Sequence, residues 1–136
     1  MENPPPGVAG KSSTGLDDNI AALLTYIFGW VSGLIFFLIE KDSKLVRFHA
    51  MQAILFNVLV IVVLIIFWIV FGILFVILAQ ISDAIGGLVG ILGFLLWLAF
   101  AVVVLGAAIL CMVRAYQRQF FKLPVIGNMA EKIVNK

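Results

Sequence analysis

Between His49 and Asp83 this chain carries no charged residue, and from Ala84 to Val113 it runs another 30 residues without one. Two such runs, separated only by the polar corner Gln80, Ser82 and Asp83, constrain the fold more than any other feature. A stretch of 18 or more apolar residues is longer than a small soluble core needs and long enough to cross a bilayer. The body Ala53–Ala79 would reach about 40 Å as a helix, so it must tilt or protrude. Composition agrees. Apolar residues make up 64% and charged residues 12% of 136 residues, against about 25% charged in an ordinary soluble domain. A chain this short cannot bury so much Leu, Ile, Val and Phe within itself.

A third charge-free run, Asn19 to Ile39, spans 21 residues, or roughly 31 Å of helix. The expected fold is therefore all-α: a polytopic bundle of three transmembrane helices, at about 19–39, 53–79 and 85–113, with a short C-terminal interfacial helix. Residues 1–18 read as a disordered, proline-rich tail without the basic and apolar regions of a cleavable signal. Residues 19–122 form the membrane domain and 123–136 the interfacial segment. Leu45–Gln52 reads as a helical lead-in to the second span, capped by Asp42 or Ser43. Asp17, Asp18 and Asn19 sit where an N-cap belongs. Pro124 is expected to stop the last span, and Asn128 with Glu131 makes a capping-box pattern for the terminal helix. There Met129 and Ile133 would face the membrane, and Lys132 and Lys136 water or headgroups.

The basic residues give an orientation. With three spans, Lys41, Lys44, Arg47, Arg114, Arg118, Lys122, Lys132 and Lys136 share one side, and Lys11 alone lies opposite. The positive-inside rule then places the first loop and C-terminus in the cytoplasm and the N-terminus outside a cell membrane. Four spans would split the same charges five against three.

Nothing in the chain reads as an enzyme. GxSxG, HExxH and phosphate-loop patterns are absent. One histidine, His49, excludes a multi-histidine metal site, and no metal or other cofactor is expected. The single cysteine, Cys111, reads as a small apolar residue. Thr25 and Ser32 are expected to bond the preceding turn. The candidate cytoplasmic interaction surface is Glu40, Lys41, Arg47, His49 and Gln52, joined by Arg114 and Arg118 four residues apart on one helical face. Asn57 continues a stripe from His49 through Ala53; a packing bond between helices is favoured over a polar path. Gly29–Gly33 and Gly86–Gly90 are GxxxG pairs of the kind that let helices approach. Trp30, Trp68 and Trp97 lie near the middle of their runs rather than at an interface. Each indole needs a partner, which suggests the protein interior or a subunit contact.

The stretch IFFLIEKDSKLVRFHAMQA (Ile35 to Ala53) resembles the signature of a widespread prokaryotic membrane family of unknown function. AYQRQFFKLPVIGNMAEKI (Ala115 to Ile133) looks like its C-terminal pattern, including the Pro-x-Ile-Gly turn. The resemblance covers about Asn19 to Ile133. That family is grouped with the channel-like component of the chloroplast inner-envelope import machinery and includes magnetosome membrane proteins that influence magnetite crystal growth. Two function classes follow. One is a non-enzymatic assembly or scaffold component that works through its basic face. The other is a subunit of an oligomeric protein-translocation or solute channel. Expected partners are the lipid bilayer, its anionic lipids, and either further copies of the chain or another membrane protein. Nucleic acid is not among them.

Overall fold

The computed structural model describes residues 2–4 and 10–136. Among them it holds five helices and no extended strand: α1 (Asp18–Leu24), α2 (Trp30–Ile39), α3 (Lys44–Ala79), α4 (Asp83–Tyr116) and α5 (Ile126–Val134). They divide into two compact units. The first comprises Met1–Val58 and Ala108–Lys136, the second Leu59–Ala107.

The first apolar run is not a span. It breaks after Leu24, turns through 25–29 and resumes as α2. Ten residues of α2 measure about 15 Å, half a hydrocarbon core. Local chemistry makes the break. The Thr25 hydroxyl donates to Ala22 O at 2.6 Å, and Ser32 Oγ donates to Thr25 O at 2.9 Å while accepting from Phe28 N–H at 3.1 Å. Side-chain hydroxyls thus satisfy backbone groups that a continuous helix would have paired. Gly29 completes the turn at φ 61°, ψ −131°, a conformation side chains do not tolerate. So among the described residues two helices, α3 and α4, are long and apolar enough to cross a membrane, where three were expected.

α2 then runs back along α3. A Cβ built on Gly33 would lie 3.0 Å from Ala50 O and 3.3 Å from Ala53 Cβ, and one on Gly29 would meet Asn57 Oδ1 at 2.9 Å. The Gly29–Gly33 pair is therefore consumed by packing within the chain, not left for a second copy. At the other end Arg47 donates to Glu40 O at 2.8 Å. Segment 18–40 leaves and returns to one place, and this moves the N-terminus. Three crossings would hold residues 11–18 opposite Glu40. Instead Ser13 N–H lies 3.0 Å from both Glu40 carboxylate oxygens, so the N-terminal segment sits with the first loop and the C-terminal tail.

Of the tail expected to be disordered, Met1 and residues 5–9 lie outside the described residues. From Gly10 it is closed by Ser12 N–H to Leu16 O, Asp18 N–H to Gly10 O and a Lys11–Asp17 bridge. Asp17 turns to Lys11 rather than capping α1; its N-cap position makes no side-chain bond. α3 begins as expected: Ser43 Oγ accepts from Val46 N–H at 3.3 Å.

In the second unit α3 and α4 form an antiparallel hairpin closed at Gln80–Ser82. Here large or small side chains on α3 meet glycines on α4. A Cβ on Gly86 would lie 2.9 Å from Ala79 Cα; Gly90 lies under Phe75 and Gly93 under Phe71. The Gly86–Gly90 pair, like its counterpart in α2, is used inside the chain. Among residues 59–107 only Gly86 and Gly93 are buried.

Candidate functional site

The first unit is built around polar side chains. His49, Gln52, Glu40 and Thr25 are fully buried, with Tyr26 nearly so. Two of them grip the segment after α4. His49 Nε2 lies 2.8 Å from Gln119 O. A carbonyl only accepts, so Nε2 carries the proton and Nδ1 is the acceptor. Tyr26 OH, 2.9 Å from Nδ1, must then donate to it. Gln52 donates to Tyr26 OH at 3.1 Å and to Phe121 O at 3.0 Å, and its Oε1 accepts from Leu123 N–H at 3.1 Å. Gln52 thereby pairs with an extended backbone as a neighbouring strand would. Cys111 closes the cluster, its sulfur 3.8 Å from Gln52 Nε2.

These bonds explain why α4 ends at Tyr116 instead of reaching Pro124. Asn19 takes Tyr116 O at 3.1 Å, His49 takes Gln119 O, and Gln52 takes Phe121 O and Leu123 N–H. Competing side chains hold residues 117–125 open. At its two ends sit the non-glycine residues of positive φ, Arg118 at 58° and Val125 at 65°. Val125 forms a three-residue turn, with Ile126 N–H to Pro124 O at 2.7 Å.

A second polar node ties the N-terminus down. The buried Glu40 carboxylate accepts from Ser13 N–H, Ser13 Oγ at 2.9 Å, Asp42 N–H at 3.0 Å and Ser43 N–H at 2.9 Å. Burial pushes its pKa up, but the donors from Ser43, Ser13 and Asp42 outweigh that and hold it below the ordinary carboxylate value. A third node pairs Arg118 Nε with Asp18 Oδ1 at 2.8 Å and Arg118 Nη2 with Asn19 Oδ1 at 3.1 Å.

A sequence model of the magnetosome magnetite crystal formation protein family matches residues 16–130, which include all three nodes except Ser13. The chain belongs to this family. It is 40% identical over 124 residues to a UPF0132 membrane protein of Methanocaldococcus jannaschii, covering 90% of this chain and 94% of that one. A UPF0132 membrane protein of Archaeoglobus fulgidus is 32% identical over 121 residues, with 86% and 95% covered. No solved structure matches. Relatives named as membrane proteins and two helices of membrane-crossing length together make this a membrane protein family.

In this family member the expected surface residues separate into two kinds. His49, Gln52 and Glu40 are interior. Arg47 is half-buried, its guanidinium 4.8 Å above the Phe37 ring. Arg114 donates to Gln119 Oε1 at 2.7 Å and lies over Phe121. Arg118 lies past the end of α4, so it does not share a helical face with Arg114. Lys41 alone of that set is exposed, with Lys44, Lys132 and Lys136 beside it in kind. Asn57 donates to Ala53 O of its own helix at 2.8 Å, a local bond where one between helices was favoured. Trp30 and Trp68 are 50% and 61% exposed, so neither faces the interior, and Trp97 is half-buried. Glu131 forms no capping box: Val125 occupies the N-cap, and Lys122 Nζ lies 2.6 Å from Glu131 Oε2, which holds that carboxyl down at about 2.

Sequence reasoning missed Ser13, Tyr26 and Gln119, and read Asp18 and Asn19 only as N-cap candidates. The signal for Tyr26 was present, since a tyrosine in a charge-free run needs a partner for its hydroxyl. Its partners, 23 and 26 residues away, could only come from the fold.

Proposed function

We propose that this chain is a non-enzymatic, multi-pass component of the cell membrane. The α3–α4 hairpin crosses the bilayer twice, and the basic segments that flank it are cytoplasmic. The observation that carries this reading is the charge distribution. All nine Lys and Arg residues lie in the first unit, and residues 59–107 hold one charge, Asp83. An excursion of two helices starts and ends on one side, so the N-terminus, first loop and C-terminal tail are cytoplasmic together. Lys11, Arg118 and Lys122 are neutralised by Asp17, Asp18 and Glu131. The exposed Lys41, Lys44, Lys132 and Lys136 supply attraction to anionic headgroups, about 1 kcal/mol each near such a surface. α5 and its N-cap add an outward apolar row of Val125, Met129 and Ile133, which enters the headgroup boundary.

On this reading the protein works by assembly, with further copies or another membrane protein docking on the basic face. A channel subunit is the weaker alternative, because the hairpin offers no charged or amide side chain from Val58 to Ala79 or from Ala84 to Val113 to line a wet path. The family description speaks of magnetite crystal formation. For this chain, Asp17, Asp18, Glu40 and Glu131 are already engaged by protein donors, so a mineral surface would have to displace those donors.

Single cysteines in a Cys111→Ala background test the topology in intact cells. An impermeant thiol reagent should label a cysteine at Ser82 and spare those at Lys41 and Lys132. Labelling at Lys41 from outside would sink the orientation. Photocrosslinkers at Lys41 and Lys132, rather than at the engaged Arg47 and Arg118, would capture partners of the basic face.

A further inference from the structure

The hairpin of the second unit contains a cleft of about 420 Å³, walled by Phe67, Trp68, Phe71, Phe75, Phe94 and Trp97. Its origin is visible in the pairing of α3 with α4. Toward the Gln80–Ser82 corner, each α3 side chain meets a glycine: Ala79 meets Gly86, Phe75 meets Gly90 and Phe71 meets Gly93. Phe67 and Trp97 extend the lining beyond that ladder, and Gly90 and Gly93 line the same recess: the glycines of α4 leave unfilled the space that the large rings of both helices enclose. Its walls are held in place by their own contacts. Phe67 stacks on Phe71 with centroids 4.7 Å apart, and Phe94 stacks on Trp97 at 6.1 Å.

We propose that this cleft binds the hydrocarbon chain of a membrane lipid. Volume selects the occupant. A recess of 420 Å³ falls in the range of small-ligand sites, about 300–1,000 Å³, and a second helix, about 10–12 Å across, does not enter it. Chemistry selects it too: the lining has no charge and no hydroxyl, so it takes an uncharged chain and leaves the headgroup outside. A chain seated in the recess touches aromatic carbon on several sides, whereas one lying along a convex helix face touches it on one. Dispersion contacts therefore favour the seated chain over bulk lipid. This site rests on the hairpin lying in a bilayer but not on the orientation or the assembly role proposed above.

The test uses the full-length protein in phosphatidylcholine vesicles carrying a phospholipid with a photoactivatable diazirine at mid-chain. Adducts are mapped by mass spectrometry. The expected result is labelling of residues 67–75 and 89–97 several-fold above that of Val102, Val103 and Leu105, which are 63%, 68% and 62% exposed. Gly72 lines the cleft, and a Cβ there meets nothing within 4 Å, so Gly72→Leu adds bulk to the recess and should remove the excess. If that variant fails to fold by circular dichroism, competition replaces it: a free fatty acid added to the vesicles should lower cleft labelling by a larger factor than it lowers labelling at 102–105. Adducts that simply follow exposure, or a cleft signal unchanged by both treatments, would overturn the proposal. So would a chain-to-chain adduct from a photoreactive residue at Phe94, which would assign the cleft to a second copy.

Discussion

The two units of this protein are held together by opposite means. In the first, polar groups run through the core: a histidine, a glutamine, a glutamate and a tyrosine sit among buried apolar residues such as Leu45, Val46, Phe48 and Ala53, and each polar side chain is bonded. In the second, the interior between the helices is little more than glycine backbone under phenylalanine rings, and the large apolar side chains point outward. Water explains the contrast. The first unit must close irregular backbone, at 25–29 and 117–125, and irregular backbone needs donors and acceptors supplied from side chains. The second has only helical backbone, already paired within itself, and in lipid needs nothing but close approach.

Substitutions can break this contrast in graded steps. Gln52→Leu removes two of the bonds that hold the extended segment and leaves Phe121 O and Leu123 N–H unpaired. At about 1–3 kcal/mol per orphaned group, it should cost about 4 kcal/mol, read as an early release of residues 117–136 to proteolysis in detergent. Glu40→Gln comes next, at about 2 kcal/mol, by weakening hydrogen bonds to a charged acceptor. It also carries a pH signature. Because the folded pKa of Glu40 is depressed, its contribution is fully present above the unfolded value of about 4.3 and is lost as pH falls through the folded value. Melting curves of the wild type should fall more steeply than those of the variant in that acid window. Parallel curves would separate Glu40 from the anchoring of the N-terminus.

Smaller effects belong to the second unit. Gly86→Ala forces a Cβ against Ala79, whose Cα lies 2.9 Å away, and should cost about 1–2 kcal/mol by overpacking, seen as a lower thermal midpoint. Gly106→Ala meets nothing within 4 Å and should be neutral or stabilising by up to about 1 kcal/mol through helix propensity. Equal effects at 86 and 106 would mean that glycine packing does not set the hairpin.

Much of the fold was legible. The start and end of α3 and the start of α4 follow from Ser43, the Gln80–Asp83 corner and the charge-free runs, since hydropathy and polar punctuation are local properties; the end of α4 does not, because Asn19, His49 and Gln52 set it from elsewhere in the chain. The first run misled because hydropathy counts carbon and not geometry. Nothing in its mean composition distinguishes a crossing helix from a hairpin whose hydroxyls, Thr25 and Ser32, bond across its own turn. The site was legible by residue and not by role. His49, Gln52 and Glu40 stood out as polar groups beside a span, but whether such groups face water or clasp backbone depends on residues 70 positions away, at Gln119 and Leu123.

The glycines of the hairpin make one more thing readable, on an evolutionary scale. Gly86 and Gly93 have no room for a side chain and can only stay glycine while the helices stay close. Gly72, Gly87 and Gly106 face open space, so the fold alone leaves them free to drift. If the aromatic recess is used, Gly72 should drift less than the other two, and descendants of this chain would then record an occupant that the fold itself does not require.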